Sequence, residues 1–296
     1  MAEKPKFVPV VAVLNMKGGV GKTTLSANVF RVLFETQKKK TLLLDVDPQF
    51  NLTQTVFKSA DYEKYRVAKK TIAQVFESSN SVKLFEISDN HTPPPPVEEL
   101  KHTFWKFTGS SPLISLDVVP GDFSLVKYSL MRDHDQLDRI AKRFKRFVNN
   151  SKTSYDLVVI DCNPSSSFLT ICALSVCTHI LVPVRPDKYS VLGLDMLWEY
   201  VHDILPISPK PAFVISLNGV PRQSNSGVVE VISELRAHQV YGPLTLANVV
   251  HESGVLRART DFTGFATDRR VSRSKLLKAE MTSLASELSS KIGLKV

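Results

Sequence analysis

The run Lys17-Gly18-Gly19-Val20-Gly21-Lys22-Thr23-Thr24 contains the residues whose types and spacing are best suited to chemistry. Glycines allow successive backbone N–H groups to turn inward onto phosphate oxygens, and a helix that begins directly after them favours an anion at its N-terminus. Lys22 would add a charge for the β- and γ-phosphates of a nucleotide, and Thr23 a hydroxyl ligand for Mg²⁺. The run therefore predicts a phosphate-binding loop whose residues from Gly18 to Thr24 contact a nucleotide.

This loop departs from the common pattern GxxxxGK(S/T), which would place a glycine where the sequence has Met16. Lys17 stands directly before the glycine pair instead. A glycine turn before an ordinary helix is the alternative interpretation. The β-branched run 7–15 precedes the loop and the helical pattern 24–37 follows it, and this order favours the phosphate-binding interpretation.

Three aspartates end apolar, strand-like runs. Asp45 and Asp47 close TLLLDVD, and Asp161 closes DLVVID. In open α/β sheets, ligands bind beyond the carboxyl ends of the strands, where these side chains emerge. An acid there can hold Mg²⁺ directly or through its water shell, and another can orient an attacking water. We therefore predict Thr23, Asp45 and Asp161 as the magnesium site, although each aspartate alone could instead cap a helix or end a turn.

The rest of the chain alternates buried strand patterns with helical ones. Strands are predicted at 7–15, 41–46, 113–119, 156–161, 180–184 and 212–218, and helices at 24–37, 135–149, 191–205, 228–238 and 274–292. This alternation predicts a single α/β domain over residues 1–296, with a doubly wound, mostly parallel sheet of the P-loop NTPase type. At about 58–111 we expect a helical and loop insertion, because the prolines at 93–96 cannot enter a helix interior or a central strand.

Taken together, the motifs resemble those of the ParA/MinD group of deviant Walker-A ATPases. KGGVGKTT, LLLDVDPQFNLT, DLVVIDCNPS and ILVPVRPDKYSVLGL occur in the order and spacing of ParA-type partition proteins. The resemblance covers residues 10–288 and is weakest at 58–111. It departs from the family at Asn163, where proline is usual, and so the shape of the loop after Asp161 differs from the family pattern. Only nine residues precede the core of the first strand, so the resemblance is to short ParA-type proteins without an N-terminal helix-turn-helix domain.

The resemblance implies a role for each matching residue. Lys17 would reach the partner subunit's phosphates across an ATP-sandwich homodimer, Lys22 would bind phosphate in its own subunit, and Asp47 would position the hydrolytic water. Asp161 would act on the metal through its bound water, so that ATP and Mg²⁺ are the implied cofactors. The adenine would lie near Asn218 and the backbone of Pro186 and Asp187, although Asn218 could equally be a strand-end turn residue.

Composition and charge restrict the partners. The formal net charge is +9, which is typical of proteins that contact nucleic acid and is also compatible with simple solubility. The region after residue 250 is basic and loop-like before the last helix, and charge alone favours a solvated basic face there. With the resemblance we predict phosphate contacts on duplex DNA at Arg257, Arg259, Arg269, Arg270 and Arg273. The resemblance implies that this DNA binding is non-specific and that a ParB-like adaptor releases it. The polar N-terminus and three isolated cysteines favour a cytoplasmic protein, and the resemblance implies that it is nucleoid-associated.

Two other functions remain open. One is a MinD-like ATPase on a membrane surface, which we disfavour because no apolar, aromatic-bearing amphipathic segment follows the last predicted helix, so no membrane is expected as a partner. The other is a P-loop enzyme that couples ATP to small-molecule or assembly chemistry. No Cys/His cluster or nucleophile–base pair supports that alternative in the sequence.

Overall fold

The computed structural model describes residues 6–78, 92–109, 113–223, 225–256 and 262–294. Within these ranges, one sheet of eight strands runs in the order β3-β4-β2-β5-β1-β6-β7-β8. All neighbouring pairs are parallel except β3 and β4. The strands are β1 Val10–Val13, β2 Thr41–Asp45, β3 His102–Lys106, β4 Ser115–Val119, β5 Leu157–Asp161, β6 His179–Val184, β7 Ala212–Val220 and β8 Val250–His251.

Helices cover both faces of this sheet, which explains why its central strands read as continuous apolar runs. They are α1 Lys22–Gln37, α2 Asn51–Val56, α3 Ser59–Val67, α4 Ala73–Phe76, α5 Val97–Leu100, α6 His134–Ser151, α7 Phe168–Leu174, α8 Lys188–Glu199, α9 Ser226–Ala237 and α10 Ser274–Lys291. Side chains of α1, α2 and α10 pack into the core on one face. Side chains of α4, α6, α7 and α8 pack into the core on the other. The predicted doubly wound, mostly parallel fold is confirmed.

Two strands were not predicted from the sequence. Residues 58–111 were expected to be helical and then loop, yet β3 lies within them and pairs antiparallel with β4 at the edge of the sheet. Its sequence HTFWK shows no clean alternation and exposes Trp105, so only the pairing with β4 defines it as a strand. The second missed strand, β8, has two residues and depends on its pairing with β7. None of the described helices is both long and apolar enough to cross a membrane.

Candidate nucleotide-binding site

The glycine-rich loop joins β1 to α1, as predicted, and two of its glycines adopt backbone angles that favour glycine. Gly19 has φ 75° and Gly21 has φ 93°. Gly21 also lies against Asn218, because a Cβ added there would come within 2.1 Å of the Asn218 Nδ2. That amide donates a hydrogen bond to the Val20 carbonyl at 2.7 Å. Asn218 therefore fixes the loop to the end of β7.

The first turn of α1 places Lys22 and Thr23 at the bottom of the loop. Lys22 Nζ donates to the Lys17 carbonyl at 3.1 Å, and the side chain is buried. Burial lowers the pKa of Lys22, while the charges of Asp161 and Asp47 oppose that shift. A buried ammonium with a single backbone acceptor has free donors for phosphate oxygens. The geometry thus suits Lys22 to the role predicted for it.

Asp161 ends β5 directly beneath the same turn. Its Oδ2 accepts from Thr23 Oγ1 at 2.9 Å, and its Oδ1 accepts from Ser26 Oγ at 2.7 Å. Burial of the carboxyl raises its pKa to about 6, although these two hydroxyl groups favour the charged form. The structure brings Thr23 and Asp161 together, as the magnesium prediction requires.

Asp47 lies nearby, after the end of β2. Its Oδ1 accepts from the Gln49 backbone N–H at 2.9 Å, and the carboxyl borders the cavity of about 710 Å³ that the loop also lines. Burial raises the pKa of Asp47, and this shift brings the group closer to the range in which a carboxylate accepts protons efficiently. The cavity therefore holds the loop and a candidate base on facing sides.

Asp45 is placed differently from the other two aspartates. Its side chain is fully buried, and Oδ2 accepts from Thr53 through both the backbone N–H, at 2.8 Å, and the hydroxyl, at 2.7 Å. Gly121 presses on it so closely that an added Cβ would lie 2.9 Å from the carboxyl carbon. Asp45 is thus hydrogen-bonded to Thr53, and the contact between Thr23 and Asp161 does not include it. Its role as a magnesium ligand stays a prediction.

Magnesium fits this donor set, which is made of hydroxyl and carboxylate oxygens. Asp45 Oδ1 is buried without a hydrogen-bond partner among the described residues, so the acidic cluster has spare acceptor capacity. No group of three or more His, Cys, Asp or Glu side chains in the described part of the chain could hold a metal alone. A magnesium ion held by one hydroxyl, substrate phosphates and water would need no such group of side chains.

Lys17 contacts a neighbouring helix of its own chain. Its Nζ lies 2.7 Å from Asp187 Oδ1 and 3.3 Å from Ser190 Oγ. Asp187 is also the N-cap of α8, where its side chain accepts from the Ser190 backbone N–H. Gly193 permits this approach, since an added Cβ would lie 3.2 Å from Lys17 Cβ and 2.6 Å from Asn15 Oδ1. The carboxylate of Asp187 therefore both pairs with Lys17 and caps α8. The contact of Lys17 with a partner subunit's phosphates stays a prediction.

A smaller cavity of about 290 Å³ lies beside the loop, and of the residues predicted to lie near adenine it is bordered by Asn218 but not by Pro186 or Asp187. Gly21 and Thr24 of the loop border it as well. Sequence reasoning missed Arg185 and Glu252, which also border it and form an ion pair at 2.7 Å. Arg185 directly precedes the predicted Pro186, but Glu252 becomes adjacent only through the pairing of β7 with β8.

Asn163 marks the departure from the family pattern. Its Oδ1 accepts from Thr170 Oγ1 at 3.0 Å and from Ser167 Oγ at 3.2 Å. These bonds tie the loop after β5 to the first turn of α7. Asn163 therefore replaces the usual proline with side-chain hydrogen bonds that restrain the same loop.

The five arginines that were predicted to bind DNA differ in their exposure and in whether the structure describes them. Arg257 and Arg259 lie outside the described residues, while Arg270 and Arg273 are exposed. Arg269 differs from Arg270 and Arg273, because the residue is only 8% exposed and its side chain donates to the Val255 carbonyl at 2.8 Å. Its guanidinium lies over the Phe262 ring and borders the loop's cavity. Arg269 is thus engaged within its own chain, and its contact with DNA stays a prediction.

Comparisons with known proteins agree with this geometry. A family model described as AAA domain matches residues 8–208, which is more than half of the chain. The sporulation initiation inhibitor protein Soj of Bacillus subtilis is 29% identical over 195 residues, or 65% of this chain and 64% of Soj. The chain thus matches somewhat less than two thirds of that relative's length.

Solved structures share the fold across almost the whole chain. The structure of pNOB8 ParA bound to nonspecific DNA has a TM-score of 0.64 at 17% identity and covers 98% of this chain and 100% of that one. Cobyrinic acid a,c-diamide synthase from Mycobacterium smegmatis, with an ATP analogue and magnesium, has a TM-score of 0.65 at 21% identity and covers 97% of both chains. At these identities the likeness shows the fold alone. The family match over residues 8–208 shows that the chain belongs to the AAA domain family, and Soj and pNOB8 ParA are among the proteins that it resembles.

Proposed function

We propose that this protein is an ATPase that dimerises on binding ATP, binds duplex DNA without sequence preference, and partitions or positions a plasmid, chromosome or other cargo with a ParB-like adaptor. It would act in the cytoplasm, on the nucleoid. One observation carries the proposal: Thr23 contacts Asp161, while Lys22 and Asp47 border one cavity with the glycine-rich loop. Soj, which shares this segment of sequence, supports it.

The chain's own residues divide the work of hydrolysis. The loop N–H groups and the Lys22 ammonium bind the phosphates, and bound Mg²⁺ would neutralise further phosphate charge. Thr23 and Asp161 orient the metal's hydroxyl and water ligands. Asp47 orients the attacking water and accepts its proton, a role that its raised pKa supports.

Dimerisation would begin at Lys17. Its ammonium is about a third exposed and is paired with Asp187, so rotation of one side chain can free it. A lysine before the glycine pair can cross a two-fold interface and reach the other subunit's phosphates. The phosphates of the other subunit's ATP would thereby give Lys17 a negatively charged partner that exists only in the dimer.

DNA binding would use exposed basic side chains near the start of α10. Arg270, Arg273 and Lys275 are exposed, and the structure gives none of them an ion pair with a described residue. If each subunit neutralises three phosphates, the logarithm of affinity would fall with the logarithm of salt at a slope of about −5 for a dimer and about −3 for a monomer. The structure of pNOB8 ParA bound to nonspecific DNA, which shares this fold, supports this part of the proposal.

The test compares two lysine substitutions that the structure separates. Lys22→Ala should bind ATP roughly 100-fold more weakly, since it removes a buried charged donor. Lys17→Ala should retain ATP binding but stay monomeric in ATP, measured by calorimetry and light scattering. Equal dimer content in Lys17→Ala and the parent would contradict the sandwich dimer.

A second candidate is an enzyme that couples ATP to small-molecule chemistry, because the synthase from Mycobacterium smegmatis matches the fold as well as pNOB8 ParA does. Binding to random duplex DNA and sedimentation on anionic liposomes, each measured with ATP and with ADP, decide between the candidates. ATP-dependent binding to neither would favour the small-molecule enzyme. ATP-dependent DNA binding supports the partition role. Its absence, together with ATP-dependent sedimentation on liposomes, would support a membrane-surface ATPase instead.

A further inference from the structure

Arg269 occupies a place that neither its sequence context nor the hydrolysis site explains. It borders two cavities at once: the loop's cavity of about 710 Å³ and a separate groove of about 830 Å³. The groove lies between α1, β3 and the start of α10. One buried guanidinium thus separates the nucleotide side of the molecule from a second concave surface.

On the nucleotide side, Arg269 holds the segment that faces the loop. Its Nη1 donates to the Val255 carbonyl at 2.8 Å, and its guanidinium carbon lies 4.8 Å from the centre of the Phe262 ring. Val255 and Phe262 border the same cavity as Gly18, Gly21 and Thr24. A ligand that fills this cavity would therefore press on the groups that fix Arg269.

On the other side, the groove is basic and contains an exposed aromatic ring. Arg270, Arg273 and Lys275 border it with exposed side chains. Its two acidic residues are already neutralised within the protein, since Asp268 pairs with Arg31 and Glu35 pairs with Lys278. The guanidinium of Arg31 in turn lies 4.5 Å from the centre of the half-exposed Trp105 ring of β3. Among the described residues, the groove thus presents an excess of positive charge without an ion-pair partner, as a phosphate backbone requires.

The phosphate-binding helix connects both sides. Asn28 of α1 borders the loop's cavity, and its Oδ1 accepts from the Thr267 backbone N–H at 3.1 Å. One turn further along α1, Arg31 holds Asp268 at 3.0 Å. Residues 267–269 are therefore fixed to the helix whose first turn carries Lys22 and Thr23. A shift of that helix would move the whole segment.

We propose that Arg269 is a positioning residue that links the occupied nucleotide cavity to the basic groove, so that ATP sets the placement of Arg270 and Arg273 against duplex DNA. This inference rests on the proposed function. A ligand in the loop's cavity repacks Val255 and Phe262 around the Arg269 guanidinium. Because Arg270 is the next residue in the chain, the same movement changes the spacing of the cations in the groove. The link is between two described surfaces within one subunit and does not depend on a partner protein.

The test compares Arg269→Met with its neighbour Arg270→Gln and with Arg236→Met. Arg236 is a matched control, because it is exposed, donates to one backbone carbonyl, that of Ala247, at 2.9 Å, and borders neither cavity. Affinity for a random duplex is measured by fluorescence anisotropy with a non-hydrolysable ATP analogue and with ADP. Binding of the analogue itself is measured by calorimetry.

In the parent and in Arg236→Met we expect the analogue to raise DNA affinity at least about 10-fold over ADP, a coupling of ordinary size. In Arg269→Met this ratio should fall to about 3-fold or less, while affinity for the analogue changes by no more than about 3-fold. Arg270→Gln should weaken DNA binding more with the analogue than with ADP, because the proposed placement of Arg270 against the duplex belongs to the ATP state, and should leave affinity for the analogue unchanged. If Arg269→Met is poorly folded, Arg269→Lys is used, which keeps the charge but loses the planar stack on Phe262.

Arg269→Met or Arg269→Lys with the parent's ratio would overturn the inference. A parent that shows no ATP-dependent DNA binding would instead reject the proposed function, and the inference with it. The two failures are distinguishable, because the first leaves nucleotide control intact in the parent and in the Arg269 variants. The second shows no control even in the parent.

Discussion

Two buried aspartates on neighbouring strands of the sheet, Asp117 and Asp45, differ in the number of hydrogen bonds that they accept. Asp117 lies within β4, directly beside Leu42 of β2, and Asp45 ends β2 three residues later. Both are completely buried. Asp117 accepts four side-chain hydrogen bonds, from Tyr155 at 2.6 Å, Thr103 at 2.6 Å, Ser115 at 2.9 Å and Lys101 at 3.0 Å. Among the described residues, Asp45 accepts only from Thr53, and its Oδ1 has no hydrogen-bond partner.

This difference teaches that burial of an aspartate does not mark a functional site. Asp117 is saturated by its own chain, and its bonds to Lys101 and Thr103 attach the edge strand β3 to the sheet. Asp45, Asp47 and Asp161 crowd together at the carboxyl ends of strands, and burial raises the pKa of each. A cluster of carboxylates whose negative charge the surrounding residues do not fully neutralise is suited to binding a cation and a polar ligand.

The largest effect should come from Asp117→Asn. The amide has the same shape as the carboxylate but lacks the negative charge opposite Lys101. Its NH₂ group would also face hydrogen-bond donors from which the carboxylate oxygen accepts. We expect the free energy of unfolding to fall by about 3 kcal/mol, as when one partner of a buried ion pair is removed. Urea denaturation measures it, and nucleotide affinity of the folded protein should not change. A loss below about 1 kcal/mol would contradict the structural role assigned to Asp117.

A smaller energetic change, confined to catalysis, is expected for Asp47→Asn. The amide oxygen can still accept from the Gln49 backbone N–H, so the loop keeps its shape. Loss of the proton acceptor should slow single-turnover ATP hydrolysis about 100-fold, with ATP affinity and unfolding midpoint near those of the parent. Phosphate release measures the rate. Hydrolysis at the parent's rate would exclude Asp47 as the residue that activates water.

The smallest effect, and of opposite sign to that of Asp117→Asn, is expected for Asp45→Asn in the absence of nucleotide and magnesium. Burial and then the charge of Asp161 raise the pKa of Asp45 in the folded state. The unfolded chain therefore loses this proton first as pH rises above about 4, so the folded state loses stability with rising pH. The side-chain amide of Asp45→Asn has no such proton to lose, so the variant avoids this loss of stability.

Thermal unfolding at two pH values measures this difference. At pH 7.5 we expect Asp45→Asn to unfold a few degrees above the parent, about 2–4 °C for each kcal/mol recovered. Near pH 4 the difference should shrink, because the parent's carboxyl is then protonated in the folded state and about half protonated in the unfolded chain. A variant that is less stable than its parent at both pH values would show that the charged form of Asp45 stabilises the empty fold.

The sequence determined the parts of the molecule that depend on local order. Continuous apolar runs predicted the central strands, and the glycine run between strand and helix predicted the loop that carries Lys22 and Thr23. The position of Asp161 at the end of its strand predicted the contact with Thr23, since parallel strands bring their carboxyl ends to one edge. These features follow from residue type and spacing alone.

Only the tertiary structure decided which charged residues face a ligand, a neighbouring side chain or solvent. Five arginines near the C-terminus looked alike in sequence, yet Arg269 is folded inward onto Val255 and Phe262 whereas Arg270 faces outward. Asp117 and Asp45 likewise sit in similar apolar runs, and their different surroundings arise from side chains far apart in the chain, such as Tyr155 for Asp117. The physical reason is that the energy of a buried charge depends on donors contributed by other elements, and no local pattern encodes where those donors will lie.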